Sequence, residues 1–338
     1  MTDAYRRAGV DVEAGARAVD LIRELAAGAT RAEVVEGIGG FAGLFRIGAG
    51  RYLAAAADGV GTKLEVARMA GRLSTVGIDL VAMCADDVVC TGAEPLFFVD
   101  YLAVARVVPE EVAAIVEGIA EGCRRVGCAL LGGETAEHPG VMAEGRFDLA
   151  GFCVGVVDED TLLGPHRVRE GDVLVSLASS GLHSNGFSMV RAALLADGAH
   201  VLRAVPEGFE RPLADELLEP TAIYAPLVLS LAGDGLVSSA AHVTGGGLLE
   251  NVARGLPEGL AAEIERGTWP VPPIFELVRE AAGAKEDDMF ATFNMGIGMA
   301  LMVPADRVAD VIGRATSAGT SAHAIGRVVP GAGVSFRG

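Results

Sequence analysis

Apolar residues follow two different spacings along the chain, and these spacings alternate through most of its length. Recurrence every three to four positions, as over residues 12–27 and 109–127, predicts helices with one apolar face. Short apolar runs bounded by glycine or polar residues, as at 52–57, predict strands. On this basis we predict helices at 12–27, 64–70, 76–92, 109–127, 187–195, 220–231, 248–255, 271–282 and 305–318, and strands at 52–57, 95–105, 128–131, 147–157, 172–177, 240–243, 260–265, 296–303 and 321–329.

A polar segment, residues 158–171, interrupts the alternation of strands and helices. We therefore predict one domain over residues 1–165 and a second over residues 166–338, each long enough to bury its own core. The fold class that follows is α+β. The short strands and helices that alternate in the second half predict an α/β sandwich of the ferredoxin-like kind.

The stretch Gly77–Tyr101 is almost wholly apolar, yet it contains several carboxylates and no Lys, Arg or His. Ionised carboxylates are seldom fully buried unless they are paired, hydrogen-bonded or bound to a metal. These acids therefore either line a wet cleft or are neutralised from outside the stretch, and Mg²⁺ is a natural candidate because it prefers oxygen ligands. The alternative that single acids are solvated or cap neighbouring helices stays open. The acids are Asp79, Asp86, Asp87, Glu94 and Asp100.

Glycine-rich turns at predicted strand ends are a second signal. In the turn Asp58–Lys63, two glycines allow backbone N–H groups to approach an anion at the start of the next helix. Lys63 is one of two lysines in the chain, the other being Lys285. The segment Gly132–Gly140 is predicted as a second acid-bearing turn, and Thr244–Gly247 as a phosphate-suited turn. Simple connecting turns are the alternative at each place.

Charge and composition exclude several classes of partner. The net charge of −18 argues against a nucleic-acid partner, because phosphates need a basic surface. Without an apolar run of membrane-spanning length or a signal-peptide core, we expect no membrane partner and a cytoplasmic location. The five scattered cysteines predict buried thiols in a reducing compartment. Residues 37–42 fit G-x-G-x-x-A, but we reject a dinucleotide site because no helical pattern follows.

The glycine turns and the acid-rich stretch occur together with several further motifs in one order along the chain. Each motif alone is modest, but the ordered set resembles the phosphoribosylformylglycinamidine cyclo-ligase family over about residues 4–329. The motifs are DGVGTK (58–63), GIDLVAMCADD (77–87), GAEPLFFVDY (92–101), GGETAEHPG (132–140), AGFCVG (150–155), SSGLHSNG (179–186), HVTGGG (242–247) and FNMGIGM (293–299).

This resemblance implies an ATP-dependent ring closure in purine biosynthesis. ATP would phosphorylate the formamide oxygen of formylglycinamidine ribonucleotide, after which a nitrogen attacks the activated carbon and phosphate leaves. The resemblance implies ATP and Mg²⁺ as cofactors, with potassium as an auxiliary ion. It also implies a homodimer in which the mixed sheets of the first domains pair into a barrel, while the second domain closes the active-site cleft.

The resemblance also implies roles for individual residues. Asp58, Asp87 and Glu134 would bind the metal, and Asp87 would act in catalysis with Lys63 and His183. The motif match favours Asp87 as a metal ligand, although helical spacing places Asp86 rather than Asp87 on the face of Asp79. The wider nucleotide-binding set is Asp58, Gly59, Gly61, Thr62, Lys63, Asp79, Glu134, Thr135, Asn185, Gly245, Gly246, Gly247 and Asn294.

Other functions are compatible with parts of the same pattern. The same superfamily includes selenophosphate synthetase, thiamine-monophosphate kinase and the synthase that acts one step earlier in purine synthesis. A selenophosphate synthetase would have a cysteine in the N-terminal glycine-rich loop, which residues 36–43 lack. A non-enzymatic acidic scaffold that dimerises is a further alternative, but it gives no reason for acids within an apolar helix.

Overall fold

The computed structural model describes residues 12–337, which form two six-stranded sheets with helices packed against them. The first sheet has the order β1-β2-β3-β6-β4-β5, and the second has the order β12-β9-β11-β7-β10-β8. The strands are β1 Val34–Glu36, β2 Gly43–Gly48, β3 Arg51–Gly59, β4 Glu94–Val104, β5 Ala129–Glu137, β6 Phe147–Asp158, β7 Val173–Ala178, β8 Ser239–His242, β9 Leu260–Glu265, β10 Ile297–Val303, β11 Ala322–Pro330 and β12 Gly333–Arg337.

The helices lie between these strands along most of the chain. Their bounds are α1 Val12–Ala27, α2 Lys63–Ala70, α3 Ser74–Val89, α4 Pro109–Val126, α5 Phe187–Leu194, α6 Leu213–Leu217, α7 Ala225–Gly233, α8 Gly247–Arg254, α9 Pro273–Ala282, α10 Glu286–Thr292 and α11 Val308–Ser317. In residues 12–337, the structure has no helix that is both long enough and apolar enough to cross a membrane.

Helix α3 packs against one face of the first sheet and against α4. Glycines allow both contacts, because a Cβ at Gly118 would collide with the backbone of Ser74 on α3, and one at Gly151 would lie only 3.0 Å from Leu80 on α3. The inward positions of β3, β4 and β6 are buried against α3, and the alternate positions face away from it. The acid-rich stretch is thus the central helix of the first domain and the strand β4 beside it.

The second sheet is mainly antiparallel. Strand β10 is buried at every position and pairs with β7 on one side and β8 on the other. The α+β class is therefore confirmed, and the first sheet is an open half-barrel. The first sheet ends at Asp158 and the second begins at Val173. The domain division at residue 165 and the ferredoxin-like arrangement stay predictions.

Two predicted segments differ from the observed fold in ways that affect the site. The helix predicted from residue 220 begins instead at Ala225, and residues 220–224 are irregular. The predicted turn after residue 131 is largely strand, because β5 continues to Glu137 in parallel pairing with β4. Sequence patterns also missed the short elements β1, β2, β12, α6 and α10, since runs of three to seven residues carry little periodicity.

Candidate active site at the interface of the two sheets

Lys63 and Asp79, both of the first domain, form a fully buried ion pair where this domain meets the second. Lys63 Nζ lies 2.9 Å from Asp79 Oδ1, and both side chains have 0% exposure. The ammonium also donates to the backbone oxygens of His183, at 2.9 Å, and Glu219, at 2.8 Å. These three acceptors satisfy all three donors of a lysine. Burial lowers the pKa of Lys63 below its ordinary value, although the charge of Asp79 and its hydrogen bond act in the opposite direction.

Asp79 also holds residues 220–224, the segment that was predicted as the start of a helix. Its Oδ1 atom accepts hydrogen bonds from the backbone N–H and the hydroxyl of Thr221, both at 2.7 Å. Asp86 lies seven residues after Asp79 on the same helix, and its Oδ1 atom accepts a hydrogen bond from the N–H of Tyr224 at 3.0 Å. Helix α3 therefore uses Asp79 and Asp86 to hold residues 220–224, which explains why this segment is not helical. Neither carboxylate is exposed to bind a nucleotide, so the structure does not support Asp79 as a nucleotide-binding residue.

A cluster of acids with one histidine lies where β8 meets α3. His242 Nδ1 is 2.9 Å from Asp87 Oδ1, and the side chain of Asp87 is 18% exposed to solvent. Burial lowers the pKa of His242, but the hydrogen bond that Nδ1–H donates to Asp87 and the charges of Asp87, Asp86 and Asp58 outweigh this effect, and the pKa is raised. The cluster thus joins the end of β3, the end of α3 and the end of β8.

Two acids at this place, Asp58 and Asp86, hold protons more strongly than free carboxylic acids. Burial raises the pKa of Asp58 to about 6, and the charge of Asp87 adds to the effect. Burial likewise raises the pKa of Asp86 to about 7. Within residues 12–337, Asp86 Oδ2 and His242 Nε2 are buried without a hydrogen-bond partner. A bound cation would stabilise an unpaired carboxylate oxygen among crowded acids.

Glu134 does not join this cluster within one protomer. In the sheet register, Glu134 of β5 pairs with Tyr101 of β4. Tyr101 pairs in turn with Ala150 of β6, and Ala150 pairs with Gly59 of β3. Three interstrand spacings separate Glu134 from Gly59, which is about 14 Å. Glu134 also shares the exposed face of Tyr101, on the other side of the sheet from α3. Within one protomer, therefore, Asp58 and Asp87 of the predicted metal set lie close together, and Glu134 does not; the set itself stays a prediction.

His183 is placed as a structural residue of the second domain. It is 2% exposed and has a φ of 59°, and its Nε2 accepts the N–H of Ser180 at 3.2 Å. Burial lowers the pKa of His183 well below its ordinary value, and the charges of His242 and Lys63 act in the same direction. The ring is therefore neutral, and its Nδ1 has no partner among the described residues. This environment does not supply an exposed proton carrier.

The glycine turns of the second domain meet each other near the acid cluster. A Cβ at Gly245 would lie 3.5 Å from Asn185 Nδ2, which joins the turn before α5 to the turn before α8. Gly246 has a φ of 89° and Gly247 a φ of 68°, so both require glycine. Asn251 Nδ2 lies 3.1 Å from Gly245 O and 2.8 Å from Gly247 O. Asn251 thus binds the carbonyls, and the Gly247 N–H donates to Thr244 O at 3.1 Å, which leaves the N–H groups of Gly245 and Gly246 for a ligand.

Asn294 and Thr135 have local structural contacts. Asn294 Nδ2 donates to Gly181 O at 2.9 Å, and its Oδ1 accepts the N–H of Gly296 at 2.9 Å. Asn294 therefore fixes the turn that contains His183 and Asn185. The Thr135 N–H donates to Glu134 Oε1 at 3.0 Å, on the exposed edge strand β5.

The structure thus brings together Asp58, Asp87, Asn185 and the turn Gly245–Gly247, and it buries Lys63, Asp79, His183 and Asn294 behind them. Sequence reasoning missed Asn251 and Thr221. Asn251 is four residues beyond Gly247, one helical turn, and that spacing was the available signal. Thr221 gave no signal, because its partner Asp79 is distant in the chain.

Among the described residues, no group of three or more His, Cys, Asp or Glu side chains is arranged as a complete metal site. Asp58 and Asp87 nevertheless fit Mg²⁺ bound together with a nucleotide. Mg²⁺ commonly uses one or two carboxylates and takes its other ligands from phosphate and water. Both carboxylates are hard oxygen donors, and the charge of Asp87 acts on both Asp58 and Asp86.

Two family models match almost the whole described chain. The model described as AIR synthase related protein, N-terminal domain, matches residues 39–157. The corresponding C-terminal domain model matches residues 169–338. The matched regions contain both six-stranded sheets apart from the short strand β1.

Similar proteins cover the chain from end to end. It is 48% identical to phosphoribosylformylglycinamidine cyclo-ligase of Geobacillus thermodenitrificans, across 100% of this chain and 99% of the relative. It is 50% identical to the protein of that name from Myxococcus xanthus, across 98% of each chain. The crystal structure of thiamine-monophosphate kinase from Stenotrophomonas maltophilia shares the fold, with a TM-score of 0.61 and 22% identity over 95% of this chain and 96% of that one. Because about half of its residues match over nearly full length, the chain belongs to the phosphoribosylformylglycinamidine cyclo-ligase family.

Proposed function

We propose that this protein closes the imidazole ring of 5-aminoimidazole ribonucleotide from formylglycinamidine ribonucleotide, using ATP, in purine biosynthesis. The observation that carries the proposal is the contact between Asp87 of the first domain and His242 of the second, at 2.9 Å. The turn Gly245–Gly247 begins three residues after His242, at the end of β8, so this contact supports a site that combines the acid cluster with the glycine turn. Membership of the cyclo-ligase family supports the same reaction over that of the related kinases.

The proposed reaction needs positioning more than covalent catalysis. The formamide oxygen attacks the γ-phosphorus of ATP and ADP leaves; a substrate nitrogen then attacks the activated carbon, and phosphate carries away the formamide oxygen. No bond to the protein forms, so no nucleophilic side chain is required. The site must hold two anionic substrates in contact and stabilise charge on the transferred phosphoryl group.

We assign Asp58 and Asp87 as the residues that would hold Mg²⁺ with the ATP phosphates. When bound, Mg²⁺ would neutralise the charge that develops on those phosphates. His242 holds Asp87 in place through its Nδ1 atom. Asn251 keeps the carbonyls of the glycine turn away from the phosphates. Potassium stays a prediction from the family resemblance.

We assign Lys63 and His183 to positioning. Because all three donors of Lys63 are used within the protein, the ammonium holds the turn that contains His183 against α3. The neutral His183 ring, buried beside it, fills that turn. This replaces the expectation that Lys63 contacts ATP phosphates directly.

An ADP-release assay tests the proposed function. We expect ADP release in the presence of formylglycinamidine ribonucleotide, ATP and Mg²⁺, with one aminoimidazole ribonucleotide formed for each ADP. Formylglycinamide ribonucleotide with glutamine, and thiamine monophosphate, serve as the substrates of the related enzymes. ADP release with thiamine monophosphate but not with formylglycinamidine ribonucleotide would contradict the proposal.

We further propose that the protein is a homodimer formed through the open face of the first sheet. Large apolar side chains are exposed on this face, with Tyr101 at 38%, Phe152 at 43% and Leu131, on the adjacent edge strand, at 67%. Such a surface favours association, because a sheet face of this kind normally packs against another layer. A second copy of the half-barrel offers the same surface, as two-fold symmetry requires.

Replacing Phe152 with glutamate is expected to convert the dimer to a monomer. The substitution puts a charge in the centre of the apolar face, where no base is available to pair with it in the adjacent part of β6. Sedimentation at micromolar concentration measures the change. The matched control is Val271→Glu, at a similarly exposed position (44%) in the second domain. Dimeric F152E, or monomeric wild type, would contradict the proposed interface.

A further inference from the structure

A cavity lies where the two domains meet, beside the turn Asp58–Lys63. Its volume is about 350 Å³. Its walls include Gly61 and Thr62 of the turn and residues of α2, of the start of β6 and of α5. The acid cluster around Asp87 is not part of its lining. This cavity is therefore adjacent to the proposed Mg²⁺ site but chemically different from it.

Two helices begin at the edge of this cavity. Thr62 precedes α2 and Ser188 lies in the first turn of α5, and their hydroxyl oxygens are 3.3 Å apart. No side chain caps either helix N-terminus. The first backbone N–H groups of two helices and the positive ends of their dipoles therefore lie at one place, where they favour an anion.

Three arginines contribute to the same cavity, in a chain whose net charge is −18. Arg68 holds Glu65 with two hydrogen bonds, at 2.9 and 2.7 Å, and Arg146 also contacts Glu65. The hydrogen bond from Arg68 lowers the pKa of Glu65, and the charges of Arg68, Arg146 and Arg191 add to this effect. With Asp148 as the other acid in the lining, arginines exceed carboxylates by one.

Arg191 is the arginine of this group that is available to a ligand. Within residues 12–337, the structure gives its guanidinium no hydrogen-bond partner, although it is close enough to influence Glu65. Arg191 lies on α5, one helical turn from Ser188. A guanidinium at this position can bind two oxygens of one phosphate group.

We propose that this cavity binds the 5′-phosphate of the ribonucleotide substrate, with Arg191 and Arg146 as specificity-determining residues. The proposal rests on the proposed function for the identity of the substrate. A phosphate group that binds without a metal ion is stabilised by arginines and helix N-termini. The ATP phosphates, in contrast, would bind through a metal ion held by the acid cluster. The cavity supplies the first set of groups, and the Asp58–Asp87 cluster supplies the second.

Arg191→Met tests this assignment by kinetics. We expect its KM for formylglycinamidine ribonucleotide to rise at least about tenfold, because a charge-assisted hydrogen bond is lost. Its KM for ATP should stay within about twofold. Arg146→Met should act in the same direction. The control is Arg125→Met on α4, an exposed arginine that pairs with Glu121 and should leave both KM values unchanged.

Direct binding separates this proposal from the proposed function. We expect phosphorus NMR to show that the wild type binds ribose 5-phosphate, that R191M does not, and that R125M binds like wild type. Ribose 5-phosphate binding that survives in R191M would overturn the proposal. So would a rise in the KM for ATP alone, since the cavity would then hold nucleotide phosphate. If the wild type lacks cyclo-ligase activity but binds ribose 5-phosphate through Arg191, the phosphate site stands and only the proposed function fails.

Discussion

Replacing Lys63 with methionine is expected to destabilise the protein by about 3–5 kcal/mol, because it leaves a buried carboxylate without its partner. Asp79 is fully buried and has Lys63 as its ion-pair partner. The same change leaves the carbonyls of His183 and Glu219 without their donor. Thermal and urea unfolding, followed by circular dichroism, measure the loss.

A second substitution distinguishes a buried charge from a simple packing defect. Asp79→Asn keeps an oxygen that can accept from Thr221 but removes the negative charge. The double variant K63M/D79N should therefore recover more than half of the stability that K63M loses. Lys63→Arg should also destabilise the protein, since the site has no room for a larger group. A K63M variant that unfolds within about 1 kcal/mol of wild type would show that the pair contributes little.

The position of Lys63 illustrates which part of the site was visible in the sequence. The pattern showed correctly that acids in an apolar helix need partners, and it indicated the helix and the strand that follow one another in Gly77–Tyr101. For Asp79 the partner is Lys63, sixteen residues earlier, together with Thr221 from the second domain. Contacts between distant segments depend on how the domains pack, and no local spacing reports them.

The strand β5 illustrates a different limit. Its glycines and acids at Gly132–Glu137 have the composition of a turn, and they were predicted as one. In the structure this segment hydrogen-bonds to β4 as an edge strand, with most positions exposed. Pairing with a neighbouring strand thus overrides local preference. The consequence for function is that Glu134 faces the open side of the sheet, about 14 Å from Gly59.

Asp87 is the acid whose removal is expected to affect turnover most. Asp87→Asn should lower kcat about 100-fold or more, a typical cost for losing a group that stabilises phosphoryl charge. Asparagine has nearly the same shape, and its oxygen can still accept a hydrogen bond from His242 Nδ1–H, so the domain contact should persist. The melting temperature should therefore change little. ADP release measured against Mg²⁺ concentration, beside thermal unfolding, tests both statements.

Asp100→Asn is the matched control for this experiment, because Asp100 is a half-buried acid of β4 whose pKa burial also raises. We expect nearly normal turnover from D100N, since Asp100 belongs to a strand that does not carry the acid cluster. Mn²⁺ binding in the presence of ATP, followed by electron paramagnetic resonance, should weaken in D87N and not in D100N. Normal turnover and normal Mn²⁺ binding in D87N would remove Asp87 from the metal site. Asp58, whose pKa burial raises to about 6, would then be the remaining carboxylate of the proposed pair.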